Sequence, residues 1–242
     1  MANYIDSNIL SQSYVHVEPT WLASFTKEQK EAELQRIKDN ITDYAQQRLK
    51  FFLYDEVDIQ VEFENGSIKA KITAYGKVCV LLSALTPAGH VVANYPEYRE
   101  GVKAIISDVY KIGNVVNSEV LFQTKSRSKS EIIRIEARKG IVGSLEKIHK
   151  QMTSIESRLT RKDNSPLTIY NEMLDLNKYI SELDANLKDR QDRDSISQSL
   201  FEGVNDLNLK KGRFKLEDSL SENMYKDLLS ERKNILKNLS QW

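Results

Sequence analysis

Three histidines and one cysteine are the whole supply of the side chains that most often act as general bases, thiol nucleophiles or soft metal ligands. His16, His90 and His149 stand apart, and none has a second His or Cys at i+3 or i+4, so spacing yields neither a zinc site nor a nucleophile–base pair. His90, after Gly89 in an apolar turn, is the one to watch, with a hydrogen-bonded interior histidine as the plainer reading. Phosphate chemistry fares no better. The segment Arg138-Lys-Gly140-Ile-Val-Gly143-Ser144 lacks the full P-loop pattern and is not expected to follow a strand, although its amides and nearby cations suit an anion at a helix start. Paired glycines serving as a helix break are the simpler account. The carboxylates of Asp55, Glu56, Glu62 and Glu64 fall where a solvated hairpin face is expected. No catalytic residue, metal ligand or cofactor is assigned, and an enzyme of a class without a short motif remains a third reading.

One asymmetry of charge stands out. Between Lys125 and Lys150 eight cations face three glutamates, a local net of +5 in a chain whose 35 basic and 35 acidic residues otherwise cancel. Such a segment suits nucleic-acid phosphates, an anionic lipid surface or an acidic partner, and Arg127, Lys129, Arg134, Arg138 and Lys139 are the anion-binding candidates. No aromatic residue lies between Phe122 and Tyr170, which removes base stacking from that reading, and a solvated helix face is the alternative.

The overall balance bounds the rest. The 242 residues have zero formal charge and a mean hydropathy of -0.50, which excludes a generally basic nucleic-acid binder. No apolar run of 18 residues occurs, and the lone Cys79 forbids an intramolecular disulfide, so a cytoplasmic protein is expected. The first residues lack the basic and apolar regions of a secretory signal.

The elements that must position any site follow from periodicity. Residues 1–25 show no sustained period and read as an arm that docks by its aromatics. Thr26-Lys-Glu-Gln29 has capping-box spacing, and the apolar stripe from Leu34 to Phe52 predicts a helix over 27–52. Val57, Ile59, Val61 and Phe63 alternate with acidic and amide residues up to Asn65-Gly66, which predicts a hairpin over 56–75 with a two-residue turn. That register pairs Phe63 with Ile68, Val61 with Ala70, Ile59 with Ile72 and Glu62 with Lys69. Residues 78–93, broken by Pro87 and Gly89, read as a buried turn, with a membrane-interfacial element as the alternative. A second helix from Pro96 to about Val120 is expected to pack on the hairpin, and the Ser-rich connector 123–130 is the candidate boundary between an α+β unit, 26–124, and a helical region, 125–242.

Beyond the connector, Ile132, Ile133 and Ile135 are expected to open a helix that Gly140 and Gly143 interrupt. Leu145, Ile148, Met152, Ile155 and Leu159, then Ile169, Met173, Leu176, Ile180, Leu183 and Leu187, repeat at three- and four-residue spacings, the seam of an antiparallel helical hairpin. Residues 189–199 read as a loop, and a helix from about Leu216 to Leu239 completes a three-helix layer. The seam residues Leu145, Ile148, Met152, Ile155, Ile169, Met173, Leu176 and Ile180 are either interior core or a partner surface, and sequence leaves the two open.

The blocks Leu53 to Thr73, Asn94-Tyr-Pro-Glu-Tyr-Arg-Glu-Gly101 and Ile135-Glu-Ala-Arg-Lys-Gly-Ile-Val-Gly-Ser-Leu145 carry a resemblance. Over residues 40–155 the chain resembles a loose group of uncharacterised bacterial proteins that occur in defence or mobile-element loci, some of them membrane-associated; the resemblance supplies no site residue. The expectation is therefore an α+β fold, predominantly α, with one small antiparallel hairpin on helices followed by a helical hairpin or three-helix layer. Its expected role is a non-enzymatic interaction or regulatory subunit acting on a protein partner or a second copy. Nucleic-acid-backbone or anionic-membrane binding through 125–150 is the alternative.

Overall fold

A computed structural model of the protein describes residues 8–52, 57–64, 68–85, 94–138 and 140–242. The chain runs β1 (Asn8–Val17), α1 (Lys27–Phe51), β2 (Asp58–Glu64), β3 (Ile68–Gly76), α2 (Val78–Leu85), α3 (Tyr95–Gln123), β4 (Ile132–Arg138), α4 (Gly140–Leu159), α5 (Pro166–Asn186), α6 (Arg190–Asn205) and α7 (Ser219–Leu239). The fold is α+β and mostly helical, with a small four-stranded antiparallel sheet in the order β2-β3-β1-β4.

Capping fixes α1 as its sequence requires: the Gln29 amide donates to the Thr26 hydroxyl oxygen at 3.3 Å, and the Thr26 amide donates back to Gln29 Oε1 at 2.9 Å. Ile37, Ile41, Ala45 and Leu49 then bury one stripe, and α1 lies over β2. Pro96 opens α3, whose Asn94 cap accepts from the Glu97 amide. At 29 residues α3 is about 43 Å long, so one helix covers β1 and the inner side of β4 and also packs on α4 and α6. It lies beside the hairpin's own cover, α1, rather than on the hairpin itself.

Several expectations require correction. The supposed arm contains β1, an interior strand between β3 and β4. Its inward positions are Leu10, Ser13, Val15 and Val17, and a bulge between Ile9 and Ser11 shifts the alternation, so a buried serine and a slipped period hide the strand from sequence. The hairpin pairs Phe63 with Ala70, Val61 with Ile72, Ile59 with Ala74 and Glu62 with Lys71, two residues away from the expected register. A slip of two keeps every side chain on its face, which is why the burial pattern was legible and the turn length was not. Lys71 Nζ reaches Glu62 Oε2 at 3.1 Å. The Asn65-Gly66 turn lies outside the described residues, as do 86–93 with His90. No helix among the described residues is long and apolar enough to cross a membrane.

Residues 132–138 form a strand, not the start of a helix, and Gly140 opens α4 rather than interrupting it. The glycine segment thus does follow a strand. Gly140 has a φ of 50°, and a Cβ there would run into the carbonyl oxygen of Ile9, so the strand-to-helix junction needs glycine for both conformation and space. The supposed loop at 189–199 belongs to α6. Asp189 caps that helix by accepting from the Asp192 amide at 3.0 Å, and the apolar stripe Ile196, Leu200 and Val204 begins only near its middle. The connector is a locked turn: Trp21 Nε1 donates to the Thr124 carbonyl at 2.7 Å, and Thr124 and Ser126 are buried. The helices α4, α5, α6 and α7 form the second layer, with α5 between α4 and α7.

Candidate functional site

All eight seam residues are interior. Leu145, Ile148, Met152, Ile155, Ile169, Met173, Leu176 and Ile180 are each at most 2% exposed, packed among α3, α4, α5 and α7 of the same chain. The three- and four-residue spacing is satisfied within the fold, and the structure brings these side chains together as core, not on a surface open to a partner.

The basic candidates are distributed along one stretch that includes the sheet's outer edge. Arg127 and Lys129 project from the turn after α3, exposed, with no carboxylate in ion-pair distance among the described residues. Arg134 lies on β4, where its guanidinium donates to Glu136 Oε1. Arg138 ends β4 opposite Gln12; its side chain and Lys139 lie outside the described residues. Of the other cations of the segment, Lys150 pairs with Glu146 at 2.7 Å and Lys147 sits over the Tyr179 ring.

The turn that launches β4 is built around Glu131. Its carboxylate accepts from the Thr20 amide and hydroxyl at 3.1 and 3.2 Å, from the Arg127 and Ser128 amides at 3.2 Å each and from the Ser128 hydroxyl at 2.9 Å. These donors, the Thr20 amide foremost, hold the carboxyl down at about 2 from an ordinary 4.5. The carboxylate stays ionised within the turn and accepts from the main-chain amide of Arg127.

β4 itself has an unusual surface for an isolated edge. Its inner edge pairs with β1, with Val15 opposite Ile135 and Tyr14 opposite Glu136, while its outer edge has no strand partner among the described residues. Ile133 is 52% exposed and Ile135 44%, so two large apolar side chains flank a row of open main-chain donors and acceptors. A register shift between His16 and Val17 places a bulge at Ile133 and leaves 134–138 as regular strand. Sequence reasoning missed Ile133, Ile135 and Glu136 as surface groups. The alternation of Ile133, Ile135 and Ala137 with Arg134, Glu136 and Arg138 is a period of two that could have found them.

The remaining chemistry is spread out. His16 Nε2 lies 3.6 Å from Glu18 Oε1 on β1. His149 is on α4 near Arg99 and Lys103, and burial first, then those two cations, push its imidazole below the usual range. Cys79 on α2 is half-buried, and burial together with the Asp192 carboxylate pushes its thiol up to about 12, far from a thiolate at neutral pH. A cleft of about 220 Å³ between α3, α4 and α6 is lined by Tyr95, Glu156 and Arg213, with Arg99 Nη1 bonded to Glu156 Oε2 at 2.5 Å in its wall. No group of three or more His, Cys, Asp or Glu residues among the described residues could hold a metal ion. No family model, curated protein or solved structure matches the chain.

Proposed function

We propose that this protein is a non-enzymatic interaction or regulatory subunit and that its docking element is the outer edge of β4. The observation that supports this reading is the combination of an edge without a strand partner among the described residues and half-exposed Ile133 and Ile135 on a strand whose entry turn is held by Glu131. An extended partner segment gains main-chain hydrogen bonds from such an edge and side-chain contacts from the isoleucines. The heptad-spaced helices contribute the rigid body behind the strand. A place in a bacterial defence or mobile-element system goes with this reading and has only the resemblance over residues 40–155 behind it; a cytoplasmic location goes with it as well.

The test is affinity capture with the full chain and with Ile135→Pro, followed by hydrogen exchange on the reconstituted complex. Proline removes an amide from the strand without needing to disturb the interior seam. The expected result is a partner lost in the variant and slowed exchange at the β4 amides of 133–137 in the complex. Exchange at those amides that is the same free and bound overturns the reading.

A second reading has its own observation, the exposed cations Arg127 and Lys129 without carboxylate partners among the described residues. As a polyanion binder the chain engages DNA or anionic vesicles with an affinity that falls steeply between low and physiological salt. Arg127→Glu with Lys129→Glu then abolishes a mass shift seen by light scattering with DNA or with phosphatidylserine vesicles. A mass indifferent to both additives at low salt removes this reading.

A further inference from the structure

From the charge pattern of β4 we infer that the segment it accepts is β4 of a second copy, joined antiparallel about a two-fold axis through Ile135 to give one continuous eight-stranded sheet. This rests on β4 being the docking strand and specifies its occupant. The pairing rule for an antiparallel partner fixes which residues meet once the centre is chosen. With Ile135 on the axis, Ile135 faces Ile135, and Arg134 faces Glu136 twice, once on each side of the axis. Opposite charges directly across a strand pair stabilise it and like charges destabilise it. Centring on Arg134 sets Arg134 against itself, and centring on Glu136 sets Glu136 against itself and Arg134 against Arg138 twice. Centring on Ala137 leaves only Glu136, Ala137 and Arg138 within the strand, because β4 ends at Arg138. The register centred on Ile135 sets opposite charges against each other on both sides of the axis and isoleucine against isoleucine on it.

The layers are compatible with that register. A perpendicular two-fold keeps faces together, so residues 134 and 136 of both copies lie on the sheet face that carries Tyr14 and His16 in the β1 register, and residue 135 lies on the helix side with Val15. In each copy α1 packs on β2, α3 and α4 pack on β1, and α3 reaches β4. The ion pair that Arg134 and Glu136 make within one strand becomes a four-group cluster across two, still on the side away from the helices, so no charge has to be buried. The bulge at Ile133 precedes Arg134, Ile135 and Glu136, the regular residues that pair about the axis. An isologous contact of this kind closes at two copies and covers the edge that would otherwise template open-ended association.

Charge-swapped chains test it. Sedimentation equilibrium on the wild-type chain is expected to give a dimer at micromolar concentration. Arg134→Glu alone and Glu136→Arg alone each place two like-charge pairs across the axis and are expected to weaken dimerisation by about tenfold or more. An equimolar mixture of the two variants restores opposite charges at both positions and is expected to regain the dimer mass. A merely structural role for the pair within one strand does not predict that rescue. As a second measurement, Ile135→Cys places the introduced thiols on the axis, within disulfide reach of each other, and mild oxidation is expected to trap a covalent dimer. Ala137→Cys, off the axis, is expected to give none.

Three results overturn the inference: a wild-type chain monomeric to about 1 mM, a dimer indifferent to both single variants, or a mixture that stays monomeric while the wild type dimerises. A monomeric wild type whose β4 amides are nevertheless protected by a captured partner leaves the docking reading standing and removes only the second copy as the occupant. Loss of β4-dependent binding in both experiments removes both.

Discussion

Replacing Asp192 with alanine is expected to destabilise the protein by about 3 kcal/mol, because this carboxylate, fully buried on α6, caps a helix that is not its own. Its two oxygens accept from the Val78 amide at 2.9 Å and the Cys79 amide at 2.8 Å, the first free donors of α2. Hydrogen bonds to a charged group contribute roughly 1.5–3 kcal/mol each, and a buried amide left unpaired costs about 1–3 kcal/mol, with partial rehydration reducing the sum. The support around it is equally specific. Lys77 Nζ reaches Asp189 Oδ2 at 2.9 Å, and although burial works to raise the Asp189 carboxyl, the Asp192 amide and the Lys77 ammonium outweigh it and hold it below the ordinary carboxylate range. Urea unfolding measures the effect: with a slope of about 3 kcal/mol/M, at the high end for small proteins as suits a chain of this size, the midpoint is expected to fall by about 1 M. Asp192→Asn, which keeps one acceptor, is expected to lose about half as much. Asp194→Ala, whose one ion pair among the described residues is an exposed 3.9 Å contact with Arg190, is expected to stay within about 0.5 kcal/mol of wild type. An Asp192→Ala midpoint within about 0.2 M of wild type, or unchanged exchange at the Val78 and Cys79 amides, would refute the capping argument.

Three further outcomes follow from the same geometry. Glu131→Gln is expected to lower the urea midpoint at pH 7; since the folded carboxyl is held at about 2 against an ordinary 4.5, its contribution is present above 4.5 and is lost as pH falls through that window, so the curves for wild type and variant converge toward pH 2. A constant offset across that range contradicts the assigned role. Cys79, with its thiol pushed up to about 12, is expected to react with iodoacetamide at pH 7.5 at least tenfold more slowly in the folded chain than in urea, as followed by mass spectrometry; equal rates rule out the protection. Gly140→Ala is expected to cost about 1–3 kcal/mol, because it forces a side chain into a φ of 50° and against the Ile9 carbonyl, and a thermal midpoint unchanged from wild type shows that the β4–α4 junction tolerates a Cβ.

What the sequence determined by itself is everything encoded within one element. The Thr26 capping box, the alternation of β2 and β3, the Pro96 start of α3 and the seam from Leu145 to Leu187 are local rules, and each places its apolar residues on the face that is buried. The α+β character and the helical second layer were legible for that reason. Tertiary structure decided whatever depends on a distant partner. Nothing near residues 8–17 announces an interior strand, since its hydrogen bonds come from β3 and β4, about 60 and 120 residues away, and its inward row includes Ser13. The loop reading of 189–199 failed because its polar residues are caps: Asp189 caps α6 itself, and Asp192 caps α2, more than 100 residues away in sequence. Whether the seam was core or interface turned on how many helices the chain could supply to cover it, and α3, α4, α5 and α7 suffice. The β4 edge lies between these cases: its alternating isoleucines and charges were printed in the sequence, but only the order β2-β3-β1-β4 leaves that strand outermost and gives its charge pattern a surface on which to act.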